Sequence, residues 1–444
     1  MRHTLLLFAF LLLVLLSARA DMPDAVDRNG QRPVPVVTAH GHCAWPNLKL
    51  LKDGRSLAAL IFNDASHGHH PGDIECWLSG DGGATWRFGS AATQHEPETI
   101  RMNCAAGLAA NGDLIVLTSG WSNRWPPGVK RTRGSYRYET LGPWLSRSPD
   151  GGKSWWVSKD AFPQTVPSGQ PAVPFGDVQI AQNGDLCAAV YSTQGPWEKY
   201  EERNFRSWLY RSKDDGKTWD EPAVIGPDAN ETTPLHLGNG RWLAAARGGT
   251  GVEKKDFMQL YASSDDGRTW TFKRTMTGFQ RVNGHLAKLR DGRVLFTYGD
   301  RASDFGKKGL EAMLSSDGGE TWTEPVRLID WNGLDGGYPS SVQRADGQVV
   351  TAYYASALPG DPPDFHKNYH MAVVVWDPAR TFSQSSRIMK QRGGCSQTVG
   401  SDGLTGFEPL RKVALTACWR RACITSSSKT APAKASASDP KARN

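Results

Sequence analysis

The chain has 444 residues and a net charge of +7, from 52 Lys and Arg against 45 Asp and Glu. From residue 384 to the C-terminus, eleven basic residues accompany only three acidic ones, so the tail supplies the whole positive charge and the body is slightly acidic. The charge therefore gives no argument for nucleic-acid binding by the body, and we expect no nucleic-acid partner.

The N-terminus has the features of a secretory signal peptide. A basic start is followed by an apolar run from Leu5 to Leu16 and by the sequence Ser-Ala-Arg-Ala, which ends at Ala20. Such a run is too short to span a membrane. We predict a signal peptide over residues 1–20, cleavage near Ala20, and a secreted or periplasmic protein. No other stretch has the length and apolar character of a membrane span.

A turn motif with the pattern Ser-x-Asp-x-Gly-x-Thr/Ser-Trp occurs five times, at intervals of 51 to 69 residues. The five copies end at Trp86, Trp155, Trp219, Trp270 and Trp322. In a hairpin turn, the Asp would cap backbone amides, the Gly would accept a positive φ, and the Trp would pack beneath the turn. The intervals match the length of one four-stranded blade.

A second repeat precedes each copy of this turn motif. Six segments with strand patterns turn at a glycine that follows Asp or Asn, as in "WPNLKLLKDGRSLAALI". The two repeats predict an all-β fold, a six-bladed β-propeller with four-stranded antiparallel blades, over residues 36–382. The segment "HMAVVVWD" is expected to close the ring against the N-terminal segment. Residues 383–444 are predicted to form a basic, disordered tail.

The turn motif is the Asp box, and its recurrence as a BNR repeat resembles the sialidase (neuraminidase) superfamily. The resemblance covers about Val36 to Asp377. It implies that the boxes lie on outer turns and support the fold, so that the chemistry must come from other residues.

The turn glycines also predict a site. Six residues lie nine positions before the six glycines, and equivalent blades would place them around the central mouth, where propellers bind ligands. These residues are Trp45, Asn103, Phe175, Glu231, Asn283 and Tyr338. We regard Trp45, Asn103 and Asn283 as candidates for substrate binding. Arg247, seven residues beyond its turn glycine, is expected to return to the same rim.

The resemblance assigns roles to three of these residues. The segments "NETTPLHLGNGRWLAAAR" and "DGGYPSSVQ" are similar to the sialidase elements that carry a Glu, an Arg and a Tyr. This implies that Tyr338 is the nucleophile, that Glu231 is its base, and that Arg247 grips the substrate carboxylate. A neutral phenol suits attack on an anomeric carbon that bears a carboxylate, because Asp or Glu would repel it.

The sequence departs from the family pattern at two of its three arginines. Ala44, in "AWP", stands where the family has its first arginine, and Lys307 and Lys308 fall near the place of the third, with Arg301 slightly upstream. We regard Arg301 and Lys308 as candidates for substrate binding. Firm bidentate binding of a sialic acid carboxylate is not predicted with only one matching arginine.

The expected acid/base position also differs. In the loop "NDASHGHHPGDIECW", the place of the family's Asp falls on His67, and Asp64 is the alternative acid. His42 is a further candidate for substrate binding. The irregular spacing of the histidines in this region predicts no metal site.

The leading hypothesis is a secreted glycoside hydrolase that acts on a terminal sugar of a glycan, including an acidic sugar. Two alternatives stay open. A polysaccharide lyase would remove the C5 proton of a uronate with His67 or Tyr338, and a non-catalytic propeller would only bind glycans. No motif calls for a cofactor. We expect a glycan or glycoconjugate as the partner and a monomer, although the sequence does not determine the oligomeric state.

Overall fold

The structure is a computed structural model, and it describes residues 22–65, 68–129, 136, 138–193, 205–249, 256–302, 307–362, 365 and 367–384. The chain divides into two units, Met1–Gly394 and Cys395–Asn444. The second unit lies wholly outside the described residues. The predicted signal peptide and all of the predicted tail after residue 384 lie outside them as well.

Within the described residues, the chain forms strands and one helical segment at residues 378–384. The first strands are β1 (Val36–His40), β2 (Ala44–Leu50), β3 (Leu57–Phe62), β4 (Ile74–Ser79), β5 (Arg87–Ala91), β6 (Thr99–Leu108), β7 (Leu114–Ser122), β8 (Glu139–Ser148), β9 (Trp156–Ser158), β10 (Val173–Ile180), β11 (Leu186–Thr193), β12 (Phe205–Ser212) and β13 (Asp220–Pro227). They are followed by β14 (Ala229–Gly238), β15 (Arg241–Gly248), β16 (Phe257–Ser263), β17 (Thr271–Thr275), β18 (Arg281–Lys288), β19 (Val294–Asp300), β20 (Lys308–Ser315), β21 (Val326–Gln343), β22 (Val349–Ala357) and β23 (His370–Trp376). No helix in this part of the chain has the length and apolar character needed to cross a membrane.

The strands form three sheets, of eleven, eight and four strands. Antiparallel pairing follows chain order in β2–β5, β6–β9, β10–β13 and β14–β17. Short parallel pairs join β6 to β10 and β16 to β18, so strands of neighbouring groups approach closely enough to pair over one or two residues. The all-β prediction is therefore right. Strands β2–β5 form a separate four-stranded antiparallel sheet, whereas the other two sheets join several groups, so six four-stranded blades stay a prediction.

Strand β21 belongs to two successive groups, since its first part pairs with β20 and its second part pairs with β22. The predicted contact of "HMAVVVWD" with the N-terminal segment is confirmed, because β1 pairs antiparallel with β23. The residues before β1 also belong to this body. The amide of Ala25 donates to the carbonyl of Arg327 at 2.8 Å, so the ordered structure begins before residue 36.

Burial decreases from the inside of each group to its outside. Strands β3, β7, β19 and β22 are buried along their whole length, whereas β5, β9 and β17 are largely exposed. The buried strands have nearly continuous apolar sequences, as expected for strands covered on both faces. Burial is therefore most complete in the second strands of the groups, which pair directly with the first strands that carry the candidate site residues.

The five boxes form the turns that the sequence predicts. In the first, the Asp81 carboxylate accepts hydrogen bonds from the Thr85 amide and hydroxyl, at 2.9 and 2.6 Å. Gly83 has a φ of 98°, and its carbonyl accepts a hydrogen bond from the Trp86 indole at 3.1 Å. These bonds close the turn within itself, so the boxes offer no free group for chemistry.

We predict that the boxes make stability depend on acid pH. Hydrogen bonds from the box threonines lower the pKa of Asp81 to about 2, from 3.8, and the pKa of Asp265 and Asp317 also falls to about 2, against the opposing effect of burial at Asp265. A carboxyl group whose pKa is lowered by folding stabilises the protein above pH 3.8 and loses that contribution as the pH falls towards 2. The melting temperature should therefore drop between pH 4 and pH 2.

The matched variant is Asp81→Asn, which keeps the shape of the side chain but has no charge to titrate. Its melting temperature should be lower at pH 7 and should change less with pH than that of the wild type. An equal change between pH 4 and pH 2 in both proteins would show that the first box does not contribute to the acid transition.

Candidate active site

One cavity of about 540 Å³ lies where the first strands of the groups meet. It receives all six of the residues that lie nine positions before the turn glycines. They are Trp45, Asn103, Phe175, Glu231, Asn283 and Tyr338. Arg247 on β15 lines the same cavity. The turn register therefore brings together residues that are up to 293 positions apart in the sequence.

A local backbone feature aims these side chains into the cavity. The pairing shifts register at the equivalent place in all six strands, and a β-bulge of this kind redirects a side chain. Four of the residues have positive φ, namely Trp45, Asn103, Asn283 and Tyr338. In β10 the positive φ falls on Gly176, where a Cβ would lie 2.7 Å from the Thr232 carbonyl oxygen. Backbone strain of this kind often accompanies functional sites.

The centre of the cavity is a hydrogen-bonded pair of Tyr338 and Glu231. The Tyr338 hydroxyl donates to Oε1 of Glu231 in a short hydrogen bond. Oε2 of Glu231 accepts from Nη1 of Arg247 and from Nδ2 of Asn283, each at 2.8 Å. Burial and then the charge of Glu231 raise the pKa of Tyr338 well above its usual value, with Arg247 and Arg301 opposing them. The phenol is therefore neutral at rest, and its proton points at a carboxylate.

Arg247 is held between two carboxylates. Its Nε and Nη2 atoms donate to the two oxygens of Asp256 at 3.1 and 2.9 Å, while Nη1 donates to Glu231. Burial opposes the charge, but Glu231 and Asp256 raise the pKa of Arg247 well above its usual value. The guanidinium is consequently a fixed cation that orients Glu231.

Two basic residues expected at the substrate support the strand of Tyr338 instead. Arg301 donates to the Gly336 carbonyl at 2.8 Å, lies 3.0 Å from the Asp335 carboxylate, and stands 5.5 Å from the centre of the Tyr338 ring. Lys308 donates to backbone carbonyls at 2.8 and 3.0 Å, within residues 333–334. Neither residue lines the cavity, because β21 supplies acceptors that engage both cations.

Of the two acids predicted in the loop before the first box, only Asp64 lies within the described residues. Asp64 is buried, accepts from the Gly68 amide at 2.8 Å, and does not line the cavity. His67 lies outside the described residues. His69, which the sequence analysis did not select, is exposed and lines the cavity. Its signal in the sequence was the histidine cluster of this loop.

His42 lies away from the cavity. Its Nε2 atom is 2.9 Å from the Glu75 carboxylate, and its ring meets the Trp77 ring edge-on at 5.5 Å. Burial favours the neutral form of Glu75, but hydrogen bonds from His42, Asn63 and Trp77 lower its pKa on balance. This cluster therefore fixes β4 to the turn before β2, and the expectation that His42 contacts substrate is not supported by its position.

Aromatic side chains surround the Tyr338 ring. Trp45 stacks on Phe62 with 5.6 Å between ring centres, and both Trp45 and Phe175 meet the Tyr338 ring edge-on, at 6.3 and 5.9 Å. The wall continues through further apolar residues. These are Ile74, Met102, Trp121, Tyr191 and Phe205. Aromatic packing of this kind holds the Tyr338 ring in place.

Below the pair, a buried ion network links three first strands. Lys49 on β2 lies 2.5 Å from the Asp177 carboxylate on β10, and His285 on β18 lies 3.3 Å from it. Burial would raise the pKa of Asp177, but Lys49 and His285 lower it to about 2. The network was not predicted, although Asp177 and His285 each lie seven residues before their turn glycines. Asp256 was not predicted because it follows no repeat.

The comparisons with known proteins agree with this fold. The model of the BNR repeat-like domain family matches residues 55–351, two thirds of the chain, and the protein belongs to this family. Among solved structures, it is similar to a protein of unknown function from Dyadobacter fermentans, with 24% identity over 78% of this chain and 98% of that one, at a TM-score of 0.61.

Two enzymes with the same fold are more distant in sequence. The Hadza microbial sialidase Hz136 is 18% identical over 77% of this chain and 66% of its own, at a TM-score of 0.57. The Trypanosoma rangeli sialidase in complex with sialic acid is 16% identical over 84% of this chain and 59% of its own, at 0.53. This likeness establishes a sialidase-type, propeller-type all-β fold. No curated protein matches the sequence.

Proposed function

We propose that the protein is a glycoside hydrolase that removes a terminal sugar from a glycan, with Tyr338 as the nucleophile and Glu231 as its base. The observation that carries the proposal is the hydrogen bond from the Tyr338 hydroxyl to the Glu231 carboxylate inside the cavity. A volume of about 540 Å³ lies within the usual range for small-ligand sites. Because the lining comes from six inner strands, the cavity suits the end of a glycan.

In the first step, the Tyr338 oxygen attacks the anomeric carbon while its proton passes to Glu231. The bond from that carbon to the leaving oxygen breaks, and an acid protonates the leaving oxygen. In the second step, water attacks the anomeric carbon and gives a proton to the conjugate base of that acid, the bond to Tyr338 breaks, and Glu231 returns its proton to the phenol oxygen. Because the pKa of Tyr338 is raised, the phenol needs a base in direct contact to take its proton, and Glu231 is that base.

The other cavity residues bind and orient. Arg247 fixes Glu231, and Asn103 and Asn283 present amide groups to sugar hydroxyls. The Asn283 amide already contacts Glu231, so it couples substrate position to the base. Trp45 offers an aromatic face. Arg301 acts through Tyr338 as a positioning residue rather than through the substrate.

We assign the proton donor to His69. The sequence predicts His67 or Asp64 for this role, and His69 is the titratable residue in the described part of that loop that lines the cavity. A histidine changes charge near neutral pH and therefore suits an acid that later acts as a base.

Replacement of His69 by Ala should lower kcat roughly 100-fold for a sugar with a poor leaving group, and much less for a 4-methylumbelliferyl glycoside, whose leaving group needs little protonation. His70→Ala is the matched control, because the His70 side chain is 73% exposed and does not line the cavity. An equal loss with both leaving groups would remove His69 from this role.

We propose that the strands form six blades. Four antiparallel groups, β2–β5, β6–β9, β10–β13 and β14–β17, are followed by β18–β20 with the first part of β21, and then by its second part with β22, β23 and β1. Each group supplies one of the six cavity residues. A secreted or periplasmic location remains a proposal from the N-terminal sequence, and cleavage near Ala20 can be checked by sequencing the N-terminus of the exported protein.

The experiment that tests the function is a screen of 4-methylumbelliferyl glycosides in parallel with uronate-containing polysaccharides. Release of the fluorophore with a normal, saturated sugar supports the hydrolase. An unsaturated, ultraviolet-absorbing product would instead identify a lyase. Binding of a glycan without turnover of any substrate would identify a glycan-binding module.

A further inference from the structure

The cavity has two unlike halves. Its polar half contains Glu231, Arg247, Asn283 and Tyr338, and it is built almost entirely from groups that already bond one another. Its other half is mainly apolar, with Asn103 bonded to the Tyr191 hydroxyl within it. The apolar half includes Ala44, Trp45, Phe62, Trp121, Phe175 and Phe205. A ligand that fills the cavity must therefore place one face on hydrocarbon and aromatic rings.

The charges around the polar half do not favour an anion. Two guanidinium groups, Arg247 and Arg301, face three carboxylates in direct contact with them, and Tyr338 is neutral. The contacts are those of Arg247 with Glu231 and Asp256, and of Arg301 with Asp335. Lys308 lies close enough to Arg301 and Asp335 to balance the third carboxylate. A carboxylate on the substrate would therefore meet paired charges without a net positive charge to bind it.

The other charged groups near the cavity are also paired and therefore do not favour an anion. Lys49 lies below the cavity and is bound to Asp177, as is His285. His69 also lines the cavity, but its proton is assigned to the leaving oxygen. In the apolar half, Ala44 is 1% exposed. A carboxylate placed against this wall would lose its hydration without gaining an ion pair, which is strongly unfavourable.

We propose that the site takes an uncharged sugar, whose apolar face lies on Trp45 and Phe175 while its hydroxyls meet Asn103, Asn283 and Arg247. The sugar carries no carboxylate. This inference rests on the proposed function for the reaction, although not for binding. It also disfavours the uronate lyase, because that reaction requires an acidic substrate.

The test uses the exported protein and matched pairs of 4-nitrophenyl glycosides. Each pair consists of a hexoside and the hexuronide of the same configuration, in the gluco, galacto and manno series and in both anomers, with a sialoside added. Binding is measured by calorimetry, and turnover is measured by release of nitrophenol. We expect the best-bound configuration to favour the hexoside at least tenfold, with an affinity that does not change between low and high salt.

The outcomes separate the two claims. A preference for hexosides in binding without any turnover supports the uncharged-sugar site and overturns the hydrolase. Turnover that favours a hexuronide or the sialoside supports the hydrolase and overturns the present inference. Binding of no hexoside, or equal binding of both members of every pair, also overturns it.

Substitutions in the aromatic wall test whether the sugar stacks on it. Trp45→Ala should weaken binding of the preferred hexoside about tenfold. Trp156→Ala, which removes a tryptophan that is 57% exposed and outside the cavity, should change it less than twofold. Since Trp45 also packs on Phe62, Phe175→Ala serves as a second test on the same wall, with melting temperatures as the check on folding. Unchanged binding in both wall variants would contradict the stacking geometry.

Discussion

Replacement of Tyr338 by Phe is expected to lower kcat by roughly 10⁴-fold or more, because it removes the atom that forms the bond to the sugar. The phenyl ring keeps its edge-on contacts with Trp45 and Phe175, so the cavity keeps its shape. Ligand binding should therefore remain within a few-fold of the wild type. The measurement is kcat for the best substrate, together with the dissociation constant of a product or substrate analogue.

Tyr353→Phe is the matched control for this variant. Tyr353 is a buried tyrosine of β22 that packs near Trp331 and does not line the cavity. It should retain nearly normal turnover, although it loses the same hydroxyl group. Near-normal kcat in Tyr338→Phe would remove the phenol from the mechanism and leave a protein that uses the cavity in another way.

Replacement of Glu231 by Gln should lower kcat about 10³-fold, with the fold intact. The amide has the shape of the carboxylate and can still accept from Arg247 or Asn283, which both lie 2.8 Å from Oε2. It cannot take the proton of Tyr338, whose raised pKa leaves the phenol a poor nucleophile without a base. KM should change much less than kcat, since the loss falls on the transition state.

The control is Asp256→Asn, which removes a carboxylate on the far side of Arg247 and leaves the contact between Tyr338 and Glu231 in place. Because Asp256 acts only by orienting Arg247, kcat should fall about tenfold. Equal losses in both variants would mean that the charge around Arg247 matters, and that Glu231 has no separate role as a base.

Much of this site was accessible from the sequence because the turn glycine fixes strand register. Side chains alternate along a strand, so a constant offset selects the same face in each repeat. The offset of nine residues found Glu231 and Tyr338, and the structure adds the β-bulge that aims both into one cavity. The turns of the Asp boxes were also predictable, because their hydrogen bonds join residues that are close in the sequence.

Other parts of the site depend on contacts that a sequence pattern does not contain. Spacing from a box placed Arg301 and Lys308 near the cavity, but the carbonyls of β21 and Asp335 determine where those cations point. Asp256 and His69 follow no repeat, so their place at the site emerged only from the folded chain. The parallel pairs between groups likewise depend on how closely neighbouring strands pack.

The most direct test of the central claim is to trap the glycosyl-enzyme intermediate. The protein would be treated with a fluorinated, activated glycoside of the sugar that it turns over, digested, and mapped by mass spectrometry. Fluorine on the sugar ring slows hydrolysis of the intermediate, so the covalent bond to Tyr338 lasts long enough to be detected. The account predicts one added glycosyl group on Tyr338, absent from Tyr338→Phe, whereas a label on a carboxylate, or inactivation without a label on Tyr338, would contradict it.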